Sequence, residues 1–183
     1  MKEYIIRLLS DPGFMGALLG ALITGAIGIT IMIVQLKKQE KSERVRELKY
    51  FYKSMFEFVH TVQSTVKQLM MRVQHLEDAE TNIKRYGCLT GISKLIIIIK
   101  DEYSKIDDNA VLVNNYPTYL TINIQIDTIQ MYLEDLHQSI EERDIKCFES
   151  NIKGMKVISE SLNKNIEILQ KNLEIAEDTL KIK

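Results

Sequence analysis

The sequence predicts an all-α protein, with one N-terminal transmembrane helix followed by an elongated antiparallel helical bundle whose seams resemble those of a coiled coil. Three observations carry this. Residues 13–36 contain no Asp, Glu, Lys, Arg or His. The remaining chain holds the charge, with 22 of the 24 Lys and Arg and 23 of the 25 Asp and Glu lying beyond residue 36. Beyond the basic residues that follow the uncharged run, apolar positions recur in alternate steps of three and four, the period of a helix that buries one stripe.

The uncharged run extends from Gly13 to Leu36. At 1.5 Å per residue it measures about 36 Å, enough to cross a hydrocarbon core of about 30 Å with modest tilt. Asp11 and Pro12 read as an N-cap and first-turn pair, placing the membrane helix at 12–36. A cleaved signal peptide has a shorter apolar region and carries its basic charge in front of it. Here Lys37, Lys38, Lys41, Arg44, Arg46, Lys49 and Lys53 follow the run, against Lys2 and Arg7 before it. The expectation is therefore a retained anchor in the cell membrane, with the N-terminus outside and residues 37–183 cytoplasmic by the positive-inside rule. Residues 1–11, with Tyr4, Ile5, Ile6, Leu8 and Leu9, form a short extracytoplasmic or interfacial segment.

Five of the eight glycines lie in the run. Gly16, Gly20, Thr24 and Gly28 recur every four residues, with Ala17, Ala21 and Gly25 beside them. Such spacing lets two helix backbones approach closely in lipid, so these four positions are the predicted self-association stripe. No ionisable side chain lies in the span, which leaves no proton relay or gating charge there. Lys37, Lys38, Lys41, Arg44 and Arg46 are read as topology determinants that also meet lipid headgroups, diluted by Glu40, Glu43 and Glu47.

The cytoplasmic region is expected to form helices at about 40–84, 92–107, 117–141 and 144–181. In the first, Val45, Leu48, Tyr52, Met55, Val59, Val62, Val66, Leu69, Val73 and Leu76 keep the 3-4 rhythm, and Ile83 rejoins it. No Gly or Pro separates Leu36 from Lys41, so nothing in that stretch stops the membrane helix from running on. The aromatic cluster Tyr50, Phe51, Tyr52, Phe56 and Phe58 is expected in the core. Tyr86–Gly91, with Gly87 and Gly91, is the expected first break, with Cys88 in that loop.

Lys94–Lys100 has the composition of a strand, yet a lone two-stranded ribbon in a helical chain exposes its edges, so helix is preferred. Asp107–Asn109 and Asn114–Pro117 mark the next loop, Pro117 suiting a helix start. Tyr119, Ile122, Ile126, Ile129, Leu133, Leu136 and Ile140 then repeat cleanly. So do Ile145, Phe148, Ile152, Met155, Ser159, Leu162, Ile166, Leu169, Leu173, Ala176 and Leu180. The stretch Glu141–Asp144 contains no Gly or Pro, leaving one continuous helix over 118–181 as the alternative to a turn. The unequal lengths leave apolar stripes uncovered, which points to a homo-oligomer or a protein partner.

Nothing in the sequence specifies a reaction. His60 and His75 lie too far apart along one helix to share a metal, and His137 is alone. Gly87 and Gly91 lack the residues of a phosphate loop, and Cys88 and Cys147 are too few for a disulfide scaffold or thiolate site. No catalytic residue, metal or cofactor is expected. A net charge of −1 argues against nucleic acid as partner. The reading is a single-pass, membrane-anchored helical adaptor or assembly protein, with membrane lipids, further copies of itself and a cytoplasmic protein as partners. The alternative is a small oligomeric pore-forming or membrane-perturbing effector of holin-like behaviour, lined by the small and hydroxyl residues of the span.

Overall fold

The computed structural model describes residues 11–181, so the predicted segment 1–11 lies, save for Asp11, outside the described residues. Every regular element among the described residues is helical. They are α1 (Pro12–Glu77), α2 (Asn82–Ser104), a 3-10 turn (Asp108–Ala110), α3 (Tyr116–Glu141) and α4 (Ile145–Lys181). The chain divides into two compact units, the first ending at Arg46 and the second beginning at Glu47.

The second unit has one hydrophobic core. From α1 it takes Phe51, Met55, Phe58, Val59, Val62, Val66, Leu69, Val73 and Leu76, all buried, at the spacing that places them on one face. From α3 and α4 it takes every position of the repeat from Tyr119 to Ile140 and from Phe148 to Ala176. Side-chain contacts fix the directions. Glu77 meets Lys156, and Gln63 meets Gln170, so α4 runs against α1. Arg72 lies over Gly91 while Phe58 meets the ring of Tyr103, which sets α2 against α1. Tyr86 packs near His137 and Tyr103 stacks on Tyr119 at 4.4 Å, which sets α3 against α2. Tyr132 covers Gly154 and Asn115 bonds Asn172 at 2.6 Å, which sets α4 against α3.

The expected helix boundaries need correction at the first break. The first helix ends at Glu77 and not near 84, and the chain breaks at 78–81 and not at 86–91. Thr81 is the reason: its side chain accepts from the Lys84 amide and starts α2 at Asn82, ahead of the position 92 that Gly87 and Gly91 suggested. Both glycines, and Cys88 with them, lie inside α2. The helix bears the cost of Gly91, about 1 kcal/mol, because the buried face of α2 on either side of it, Leu89, Ile92, Leu95, Ile96 and Ile99, supplies more than that. Ile83 does not rejoin the α1 stripe; it is 86% exposed on the first turn of α2.

The expected helix 92–107 is in fact Asn82–Ser104, and the strand-like run Lys94–Lys100 is helical throughout. The membrane helix and the next helix, expected as 12–36 and 40–84, are one element. Residues 105–115 wind through the 3-10 turn, where the Asp107 carboxylate accepts from the Asn109 amide and Tyr119 donates to Asp108. Ile106, Ala110 and Val111 are buried in this linker. It therefore covers part of the core that the shorter middle helices were expected to leave bare.

Between α3 and α4 the chain turns, and one continuous helix over 118–181 is excluded. Arg143 stands at φ 60°. The Asp144 amide donates back to Ser139 O and the Arg143 amide to Ile140 O, the paired bonds that close a helix through a left-handed residue. Asp144 then caps α4, accepting from the Cys147 amide at 3.0 Å. Because α4 starts after this turn, Ile145 falls off the core face and is 64% exposed.

Candidate membrane-association segment

The start of α1 is built by Asp11 and Pro12. The Gly13 amide donates to the Asp11 carboxylate at 2.8 Å and the Met15 amide to Asp11 O at 3.0 Å, satisfying donors that a helix start leaves open. From there the first unit is one helix with no core. Phe14, Leu18, Leu19, Leu22, Ile23, Ile27, Ile29, Ile31, Met32, Ile33, Val34 and Leu36 are all exposed. Among the described residues α1 is the one helix long and apolar enough to cross a membrane, and none of its apolar window is buried within the protein.

The small residues of the predicted stripe all lie within α1. A Cβ placed on Gly16, Gly20 or Gly28 meets nothing within 4 Å, so these positions form an open, smooth surface. Gly13, Ala17, Ala21 and Gly25 make a second four-residue row beside Gly16, Gly20, Thr24 and Gly28. Rows of this step are inclined to the helix axis, which suits a right-handed crossing of about −40° between two such helices. Both hydroxyls of the span are internally satisfied: Thr24 donates to Gly20 O and Thr30 to Ala26 O, each at 2.8 Å.

Lys37, Lys38, Lys41, Arg44 and Arg46 follow on the same helix, all exposed. None forms an ion pair among the described residues, Glu40, Glu43 and Glu47 notwithstanding. In the second unit the histidines are dispersed, His60 beside Phe56 and His137 beside Tyr86, and among the described residues no group of His, Cys, Asp and Glu converges as a metal site would require. Cys88 is half-buried and Cys147 exposed.

The shifted side chains of this unit belong to packing contacts. Tyr119 is pushed up by burial and by its bonds to Tyr103 and Asp108. Lys105 is pushed up by Asp101 and Glu102 one turn before it.

One feature escaped the sequence reading. The aromatic cluster expected in the core is split, with Phe51 and Phe58 buried but Tyr50 and Phe56 each 47% exposed. Tyr50 reaches across to bond Asp107 at 2.7 Å. Tyr52, Phe56 and His60 instead line a groove between α1 and α4, facing Gln170, Leu173, Glu174 and Glu177. Spacing on α1 alone shows three aromatic residues four apart. The carboxylates opposite them become visible only once the register of α4 against α1 is known.

No family model matches the chain, and no curated protein or solved structure does so.

Proposed function

We propose that the chain is a single-pass protein of the cell membrane, with its N-terminus outside, whose cytoplasmic antiparallel helical bundle of coiled-coil-like packing serves as a non-catalytic adaptor or assembly module. The observation that carries this reading is the uncharged helical stretch 13–36 with its large apolar side chains exposed. Burial of one such side chain contributes about 1.5–3 kcal/mol, so the dozen in this stretch represent on the order of 20 kcal/mol. That exceeds the net stability of a typical domain, about 5–15 kcal/mol. Lipid is the medium that supplies it without a dedicated protein partner. The basic residues 37–46 set orientation and meet anionic headgroups, and the Gly16, Gly20, Thr24 and Gly28 row brings copies together. The size of the part beyond the span, residues 37–183, favours an anchor over a pore, since it is far more than a pore-former needs.

The test uses the native cysteines. The protein is expected in the carbonate-washed membrane fraction, with Cys147 labelled by an impermeant maleimide only after the cells are opened. Recovery in the soluble fraction would sink the anchor, and labelling of intact cells would reverse the orientation. Gly16→Ile with Gly20→Ile should lower the oligomer mass in mild detergent while helicity is kept. Rapid loss of membrane potential on expression would favour the pore.

A further inference from the structure

The α1–α4 groove has a composition that core packing does not explain. Tyr52, Phe56 and His60 stand one turn apart, with ring centroids 5.5 and 6.2 Å from one another, and form one wall. Val59 and Leu173, both buried, make its floor, and the cavity measures about 150 Å³.

The opposite rim is acidic and held in place. Gln63 donates to Gln170, and Gln170 donates to Glu174 Oε1 at 3.1 Å. This chain of amides orients a carboxylate that has no basic group within 4 Å among the described residues. Glu177 beside it is already engaged, its carboxyl held below the ordinary range chiefly by the paired Lys181.

Aromatic faces and an uncompensated carboxylate both attract a cation, while an aliphatic floor suits the methylene stem that carries one. We propose that this groove is a docking site for an arginine side chain presented by a basic segment of a protein partner. Arginine fits better than lysine because its planar guanidinium stacks on rings and engages a carboxylate in fixed geometry. The inference rests on the adaptor reading for its use. It concerns the second unit alone, so its failure in a binding assay leaves the membrane anchor, tested by fractionation, untouched.

The experiment uses the full chain in a nonionic detergent, titrated with acetylated and amidated peptides of four alanines either side of one central residue. The arginine peptide should bind about ten-fold more tightly than its glutamine counterpart, with lysine between them. Glu174→Gln, which preserves the bond from Gln170, should weaken the arginine peptide about ten-fold. Phe56→Leu, which keeps the apolar area, should weaken it about five-fold while Phe56→Tyr does not.

Glu160→Gln, an exposed carboxylate outside the groove, serves as control and should change nothing. Circular dichroism of each variant confirms that the helices persist. Equal binding of the glutamine and arginine peptides, or an unchanged affinity in Glu174→Gln, overturns the proposal. Tighter binding of tetramethylammonium than of the arginine peptide also overturns it and assigns the groove to a quaternary ammonium headgroup.

Discussion

Leu22 and Leu69 lie in the same helix and are the same residue, yet the first is 62% exposed and the second fully buried. Around Leu22 the apolar residues continue on every side of the helix, as a segment needs when its surroundings are uniformly apolar. Around Leu69 they return every three or four residues, with charge between, because one side meets a core and the other meets water. Hydrophobic content therefore says little by itself. Its angular distribution decides whether a helix draws its stability from its own chain or from a medium that the chain does not contain.

The strongest way to break this comparison is to separate the regions. Residues 47–183 alone should stay helical and remain in buffer, whereas the full chain should need detergent; sedimentation with circular dichroism reads both. Aggregation of the fragment would show that its core is not self-sufficient. Next, Leu69→Ala should lower the stability of that fragment by about 3 kcal/mol in urea, while Leu22→Ala in the full chain should leave the unfolding of the second unit unchanged.

Two helical glycines sharpen the picture at a smaller scale. A Cβ at Gly154 would stand 2.5 Å from the half-buried ring of Tyr132, so Gly154→Ala should cost about 1 kcal/mol despite better helix propensity. At Gly91 the obstacle is the far end of the exposed Arg72 side chain, which can swing aside. Gly91→Ala should therefore stabilise by about 0.5 kcal/mol, measured by the same denaturation.

Arg143→Gly should also stabilise, by about 0.5–1 kcal/mol, because φ 60° is a conformation that only glycine adopts without strain.

The smallest effect is one of pH. Lys156 donates to Glu77, holding that carboxyl below and the amine above its ordinary value. The carboxylate's contribution is present above the unfolded carboxylate range and is lost as pH falls through the lowered folded value. The amine's contribution is present below the unfolded lysine value and is lost as pH rises through the raised one. Both partners are exposed, so 1 M salt should flatten the acid limb of a melting-temperature profile, and a limb that salt leaves unchanged would assign it elsewhere.

Much of this was legible in the sequence, and the limits have physical causes. α3 and α4 could be read position by position, because each repeat from Tyr119 to Ile140 and from Phe148 to Ala176 faces one continuous core. The first break is misplaced by glycine content because a helix whose face is buried tolerates the roughly 1 kcal/mol that each of Gly87 and Gly91 costs. The usable signal lay in Thr81, a cap residue four positions after Glu77. Ile83 showed how a periodic pattern can coincide in phase across a break. The turn at Arg143 gave no compositional sign, since neither Gly nor Asn occupies the left-handed position, though Asp144 was readable as the cap that follows. In the candidate segment the uncharged run, the small-residue rows and the basic residues were all local features and could be read directly. The α1–α4 groove could not, because its two walls lie more than a hundred residues apart in sequence.

The order of contacts also bears on biogenesis. α1, α2 and α3 each pack on the next helix in sequence, so those interfaces can form as synthesis proceeds. The interface between α1 and α4 joins the first helix to the last, and the ribosome must finish Ile145–Lys181 before it closes. During that interval one flank of the α1 stripe lacks its cover. A nascent chain halted before α4 would present that bare flank to chaperones and proteases, so closure of this core waits on the 37 residues of α4.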